Sequence, residues 1–485
     1  MRYLFCFFTV LFFGLFGSCS KNPVISGDTL ISDVNVVDVA SGVIMPHQDI
    51  VIRRNRIAHI ANADGADEYK VARTLKASGK YIIPGLWDMH AHPDDPEVWR
   101  MHPGERQKDS LMPLFIAFGV TGIRDMGGSL ELVKRWRALY KQGELLAPEI
   151  YACGPLLDGP NPMWDGSVGI RGPEQVPEIV DSLMAAGADF LKIYSLLPRD
   201  TYFALSKYAT EKDIPFAGHV PFTVLPSEAA LTGMKSQEHL LEILKECAGP
   251  VPEALLDSIQ GLESAVARSN AINAFRLGSF REAKADSLYK LFAAKDIWHC
   301  PTLSMWFKNA WYEEELPADS VYLNLLPQYI QRYWRTDTND HLGHRQDSAY
   351  INTKKELYKT YLDMVRGMHE NGVKLLAGTD TGANPLCFPG LGVHNELQAL
   401  TEAGLTPAEA LKTATINPAE FLGIGNTYGS VTEGKVADLV LLNKNPLAEI
   451  GNSLKIAAVI RDGRLLDSIG LVELKHRLRQ FQEKE

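Results

Sequence analysis

Ile82-Ile83-Pro84-Gly85-Leu86-Trp87-Asp88-Met89-His90-Ala91-His92 is the stretch on which the reading of this chain turns. It opens apolar and closes on two histidines two residues apart. Side chains alternate across a strand, so His90 and His92 project to the same side. Two imidazoles so placed supply half of a metal site. By itself such a pair is more often an ordinary surface or core pair, so its meaning depends on what the rest of the chain brings to it.

Working outward, strand candidates alternate with helical stretches. Residues 119–125, 149–153, 189–194, 215–219, 236–239, 297–303 and 373–380 read as short apolar strands, and with the opening strand they make eight. Helical patterns separate them, for instance over 173–186 and 199–211. This alternation predicts an α/β fold, a parallel (β/α)8 TIM barrel, whose chemistry gathers at the C-terminal ends of the strands. Residues 305–370 are too long for one connection and carry Trp306, Phe307, Trp311, Tyr312, Tyr322, Tyr329, Tyr333 and Trp334. They read either as a lid over the barrel mouth or as an aromatic helical pair packed on the outer helices.

The two ends of the chain resemble each other. Residues 29–61 read as short strands with a hairpin, and residues 434–442 and 456–464 as strands ending in an Asp-Gly turn. Paired together, they predict a small composite β-sandwich domain beside the barrel. The expected organisation is a signal peptide over 1–19, a tether over 20–28, sandwich segments over 29–84 and 425–470, a barrel over 85–424 with the 305–370 insertion, and a tail over 471–485.

Of the 485 residues, 46% are hydrophobic and 22% charged, as in an ordinary globular protein with a large core. The net charge of −10 and the lack of a long basic run argue against a nucleic-acid partner, because phosphate binding needs clustered Lys and Arg. Cys153, Cys247, Cys300 and Cys387 show no paired spacing and read as isolated thiols. The N-terminus differs from the rest. Arg2 precedes an apolar run over 4–16, too short for a membrane span, so it reads as a secretory signal. Its end, Leu15-Phe16-Gly17-Ser18-Cys19, resembles a bacterial lipoprotein signal. That resemblance implies lipidation of Cys19 and a periplasm-facing lipoprotein of the cell envelope, held to the membrane only through that anchor. An ordinary cleaved signal and a secreted protein is the alternative.

The polar residues at the strand ends are His90, His92, Lys192, His219, His239 and Asp380. Each has a bland explanation. His219 and His239 suit satisfied core histidines, and Asp380 suits a helix cap. Lys192 is the exception, because a bare ammonium in the apolar strand Phe190-Leu191-Lys192-Ile193 would be expensive. As a set, in this order, the six resemble the amidohydrolase superfamily, in its binuclear-metal branch of imidazolonepropionase-like and Xaa-Pro dipeptidase-like proteins. His90-Ala91-His92 matches its first-strand His-x-His, Lys192 its carboxylated lysine, His219 and His239 its fifth- and sixth-strand histidines, and Asp380 its eighth-strand aspartate.

The resemblance implies two divalent cations, Zn²⁺ best suited to these ligands, held by the six residues with a CO₂-derived carbamate on Lys192. It implies a hydroxide bridging the metals as nucleophile and Asp380 as catalytic proton shuttle. The implied activity is hydrolysis of a C–N bond, amide or peptide-like, in a small substrate bearing a carboxylate. Arg124, Tyr194 and His394 are the candidates for binding that substrate. A lactonase, esterase or phosphotriesterase on the same site is the alternative enzyme, and a non-catalytic lipid-anchored binding protein the alternative of another class. The stretch from Leu157 to Trp164 departs from the glycine- and histidine-rich loop common in the family, so the resemblance does not carry a named substrate.

Overall fold

The computed structural model describes residues 24–95, 98, 104–262, 265–335, 339, 342, 347–382 and 384–483. Cys19 and the expected signal peptide lie outside the described residues. No helix among those described is long and apolar enough to cross a membrane.

The two ends of the chain meet in one sheet. Strands Ile25–Asp38, Val43–Arg53, Arg56–Asn62, Tyr69–Lys76 and Tyr81–Pro84 join Leu439–Leu442, Ile456–Arg461 and Arg464–Leu466. The junction is the antiparallel pairing of Tyr81–Pro84 with Leu439–Leu442. The two ends thus pair as expected, but hydrogen bonding makes them one eight-stranded sheet rather than the two of a sandwich. The reason lies in Ile25–Asp38. Its first part pairs with Tyr69–Lys76 and its later part with Tyr81–Pro84. A bulge between them, at Asp33 with φ 58°, lets one long strand serve both. Ile31, Val36, Ile50, Leu439 and Ile460 fill a core of this sheet's own.

Two boundaries move. Ile25–Asp38 begins inside the stretch expected to be a tether. The expected tail is mostly the helix Ser468–Glu483, which buries Leu471, Leu474 and Leu478. Their i, i+3, i+7 spacing gives that helix an apolar stripe.

The central part contains the expected parallel strands, but not as one closed barrel. Leu86–Ala91, Val120–Asp125 and Glu149–Ala152 form a three-stranded parallel sheet. A second sheet runs Val168–Gly169, Leu157–Asp158, Leu191–Ile193, Phe216–Gly218, Ser236–Glu238, Trp298–Cys300. The two shortest of these strands were not foreseen. The eighth expected strand, residues 373–380, is held by isolated parallel bridges, His299 to Leu375 and Ala91 to Thr381. Its backbone bonds both neighbours, Leu376 N donating to His299 O at 2.8 Å and Thr379 N to His90 O at 3.1 Å. Gly378 explains the irregularity: a Cβ there would stand 2.7 Å from the His90 nitrogen and 2.4 Å from Cys300 Sγ. The backbones approach too closely for regular pleating.

All four central cysteines are free and buried, as read from their spacing. The described part of the 305–370 insertion is helical: Leu303–Ala310, Tyr312–Leu323, Gln328–Tyr333 and Ser348–Glu370. Its aromatic residues pack largely on one another, with Trp306 on Tyr361 and Phe307 on Trp311, each pair 4.9 Å between centroids. Met305, Trp306, Asn309 and Lys354 also line the central cavity, so the insertion is both a packed unit and a wall of the site.

Candidate metal centre and its cavity

Five of the six expected ligands line a single cavity of about 320 Å³: His90, His92, His219, His239 and Asp380. The i, i+2 spacing does what it predicts, placing the rings of His90 and His92 with centroids 5.2 Å apart. His239 lies 4.8 Å from His90 and 4.9 Å from His219, again between centroids. Asp380 Oδ1 stands 3.3 Å from Nε2 of both His90 and His92. Nitrogen and oxygen atoms of these last three all lie within 4.8 Å of one another. His239 and Asp380 hold left-handed backbone, φ 60° and 54°. Non-glycine residues in that conformation are costly and concentrate at functional sites. Gly218, ahead of His219, packs so close to Lys192 that a Cβ would meet its Cδ at 2.8 Å.

The outer ring nitrogens are already engaged. His90 Nδ1 pairs with Glu238 Oε2 at 2.8 Å, His219 Nδ1 with Ser195 Oγ at 2.9 Å and His239 Nδ1 with Thr302 Oγ1 at 2.7 Å. Each contact fixes a ring and leaves Nε2 for a ligand, the arrangement found around metal-binding histidines. Burial, followed for His90 and His219 by the Lys192 charge, pulls both well below the usual imidazole range. His239 is also lowered, chiefly by burial. Neutral imidazole is the ligating form. His92 goes the other way: burial, the largest single influence, would lower it, but the hydrogen bond to Asp380 and the charges of Asp380 and Asp95 together raise it. Burial would raise Asp380, yet the surrounding imidazoles hold it well below the usual carboxylate range.

Lys192 lies under this group on Leu191–Ile193, 1% exposed, and its Nζ has no hydrogen-bond partner. Burial lowers its pKa, against the pull of Glu238 and Asp380. His90 Nε2 and His92 Nδ1 are likewise buried without a hydrogen-bond partner. Orphaned polar atoms are rare in native interiors and demand an explanation. Four imidazoles, one carboxylate and one amine of lowered basicity form a donor set that fits divalent cations.

The expected substrate-binding residues fare differently. Tyr194 lines the cavity, stacks on His219 at 4.2 Å and takes a 2.7 Å hydrogen bond from Trp164 Nε1. Arg124 does not reach the cavity. It is fully buried on Val120–Asp125, where its guanidinium donates to Met89 O, Ser236 Oγ and both oxygens of Glu238. It is a positioning residue, tied through Glu238 to His90. His394 also lies elsewhere. It is buried between Ser453 Oγ and Phe118 O, 2.8 Å from each, and borders a different cavity. Burial pushes its pKa down to about 4.

Glu238 was missed in the sequence. The signal was present: a carboxylate in the buried strand Ser236–Glu238 is as anomalous as Lys192, and it needs a buried cation such as Arg124. Its oxygen, a nitrogen of His90 and Cys300 Sγ lie within 4.8 Å of one another. Arg124 and Ser236 already occupy the Glu238 carboxylate, which makes it an orienting group rather than a metal ligand. The remaining walls are apolar and aromatic, among them Trp164, Phe222, Met305 and Trp306.

Comparison with known proteins points the same way. Residues 330–466 match the Amidohydrolase family. An imidazolonepropionase from Pseudomonas syringae pv. tomato is 38% identical over 96 residues, 20% of this chain and 23% of that protein. An adenine deaminase from Rubrobacter xylanophilus is 23% identical over 440 residues, 90% of this chain and 58% of that protein. The chain thus spans less than two thirds of either relative. Among solved structures, a bottromycin amidohydrolase superimposes with a TM-score of 0.72 at 24% identity, covering 93% of this chain and 90% of that one. At that identity the likeness establishes a shared fold.

Proposed function

We propose that the protein is a metal-dependent hydrolase of a C–N bond in a small molecule. One observation carries the reading: four imidazoles, Asp380 and an unpartnered buried Lys192 converge beside one small cavity. His90, His92 and Asp380 would hold one divalent cation and His219 and His239 a second, with Lys192, carboxylated, between them. When bound, such a pair supplies water activated near neutral pH and a Lewis acid for the scissile carbonyl. Zn²⁺ suits the donor set best.

The chain's own residues do the rest. Ser195, Glu238 and Thr302 hold three imidazoles in fixed orientations. Asp380 would accept the proton of the attacking water and pass it to the leaving nitrogen, which leaves poorly unprotonated. Asn384 Nδ2 donates to Asp380 Oδ2 at 2.8 Å and steadies the carboxylate through that transfer. The aromatic walls exclude water and favour a substrate with an apolar group, and the size of the cavity suits a small molecule. A substrate carboxylate needs a cation other than Arg124. We further propose that Cys19 is lipidated and anchors the enzyme in the cell envelope.

The test is a panel of N-acyl amino acids, dipeptides, cyclic imides, lactones and phosphotriesters offered to the metal-loaded protein. The proposal expects kcat/KM to be highest on a C–N substrate. A preference by orders of magnitude for a lactone or phosphotriester overturns the C–N assignment and leaves the metal site standing.

A further inference from the structure

Lys354 borders the cavity and has no part in the proposed mechanism. It lies on Ser348–Glu370, and its side chain borders the same cavity as the imidazoles. Among the described residues its ammonium has no hydrogen bond or ion pair; its one contact of note is the face of Tyr350, 4.8 Å from the ring centroid. The acids around the cavity are committed elsewhere. Glu238 binds Arg124, Glu242 binds Lys245 at 2.8 Å, Asp380 sits among the histidines, and Asp95, the fourth acid of the lining, acts on His92. Burial alone acts on Lys354, pushing its pKa down to about 8, so near neutral pH it remains mostly charged.

An ammonium facing an apolar-walled cavity without a counter-ion is costly. Two other lysines near cavities have evident purposes: Lys308 pairs with Glu315 and Asp319, and Lys192 lies under the proposed metal site. The cost at Lys354 is recovered when an anion enters. The same cavity offers Trp164 and Trp306 as apolar walls. An anionic group joined to an apolar or aromatic body would satisfy both.

We propose that Lys354 is a specificity-determining residue that pairs with an anionic group of the substrate, so that the substrates are small amides carrying a carboxylate away from the scissile bond. The substrate class rests on the hydrolytic reading above, whereas the ion pair stands on the cavity alone. A charge-assisted hydrogen bond of this kind is worth about 10- to 100-fold in binding.

The experiment uses the metal-loaded protein and its Lys354→Met and Lys354→Arg variants, with equal metal content as the control for folding. Turnover is compared on N-acetylphenylalanine and on N-acetylphenylalaninol, which lacks the carboxylate. Binding is measured by calorimetry with 2-phenylethanesulfonate, whose sulfonate is a poor metal ligand, and with 2-phenylethanol. Lys354→Met should lose about 10- to 100-fold in kcat/KM on the acid, through KM, with the alcohol unchanged and Lys354→Arg retaining part. Equal losses on both substrates, or none, overturn the proposal. If the wild type hydrolyses neither compound, the hydrolytic reading is in difficulty and the calorimetry decides Lys354. Sulfonate binding about tenfold or more weaker in Lys354→Met supports the ion pair, and sulfonate binding that is absent or indifferent to the substitution overturns it.

Discussion

Replacing Arg124 with methionine separates a buried positioning role from a substrate-binding one. The guanidinium is fully buried and donates at 2.6 Å to Met89 O, at 2.9 Å to Ser236 Oγ, and at 2.8 and 2.9 Å to Glu238. It also lies 5.1 Å from the Phe421 ring centroid. Methionine keeps most of the apolar packing but leaves the Glu238 carboxylate without its cation. Breaking a buried ion pair from one side costs about 3–5 kcal/mol. Divided by a urea m-value of about 3 kcal/mol/M, that is a midpoint shift on the order of 1 M. The double variant Arg124→Met, Glu238→Gln removes the stranded charge as well, so it should recover part of the loss. Urea unfolding of the wild type, both singles and the double gives the coupling directly. A midpoint that does not move in Arg124→Met, together with a raised KM, would refute the positioning role and return Arg124 to the substrate.

Asp380→Asn should lower kcat by about 10²- to 10⁴-fold, with metal content measured in the same sample, because it removes the proton carrier; unchanged turnover in a metal-replete variant would count against Asp380 as shuttle. His394→Phe should leave KM alone and destabilise the fold by about 1–3 kcal/mol, since Phe118 O and Ser453 Oγ lose their shared partner. A changed KM at full stability would show that its cavity communicates with the substrate. Cys19→Ala should release the protein from the membrane fraction or leave it unprocessed, and wild-type partitioning in fractionated cells would end the lipoprotein proposal.

Two parts of the proposed ligand set were legible from local physics, whereas His219, His239 and Asp380 were read from the resemblance to the amidohydrolase superfamily. Alternation along a strand places His90 with His92, and a lysine in the apolar run around Lys192 is anomalous wherever it falls. Arg124 and His394 were misread for a common reason. Each lies near a strand end or in the loop that follows, but what it touches is set by distant residues, Glu238 for one and Phe118 and Ser453 for the other. All six residues of Val120–Asp125 are buried, so alternation gives no clue to which side chains meet the cavity. Glu238 could have been found by asking what neutralises it. Lys354 could not, since a lysine on a long amphipathic helix looks solvated until its neighbours are known. The count of apolar runs found the parallel strands but not how they pair. Counting cannot see that Gly378 brings the eighth run too close to its neighbours for a regular strand, or that Leu157–Asp158 pairs with Leu191–Ile193.

The central claim is that six side chains, with Lys192 as the bridge, make a two-metal site. Metal content per chain, measured by inductively coupled plasma mass spectrometry on wild type and Lys192→Ala purified alike, tests it most directly. About two divalent ions are expected per wild-type chain and fewer than about one in the variant. Full occupancy in Lys192→Ala, or a wild type that binds no metal when it is supplied, would contradict it.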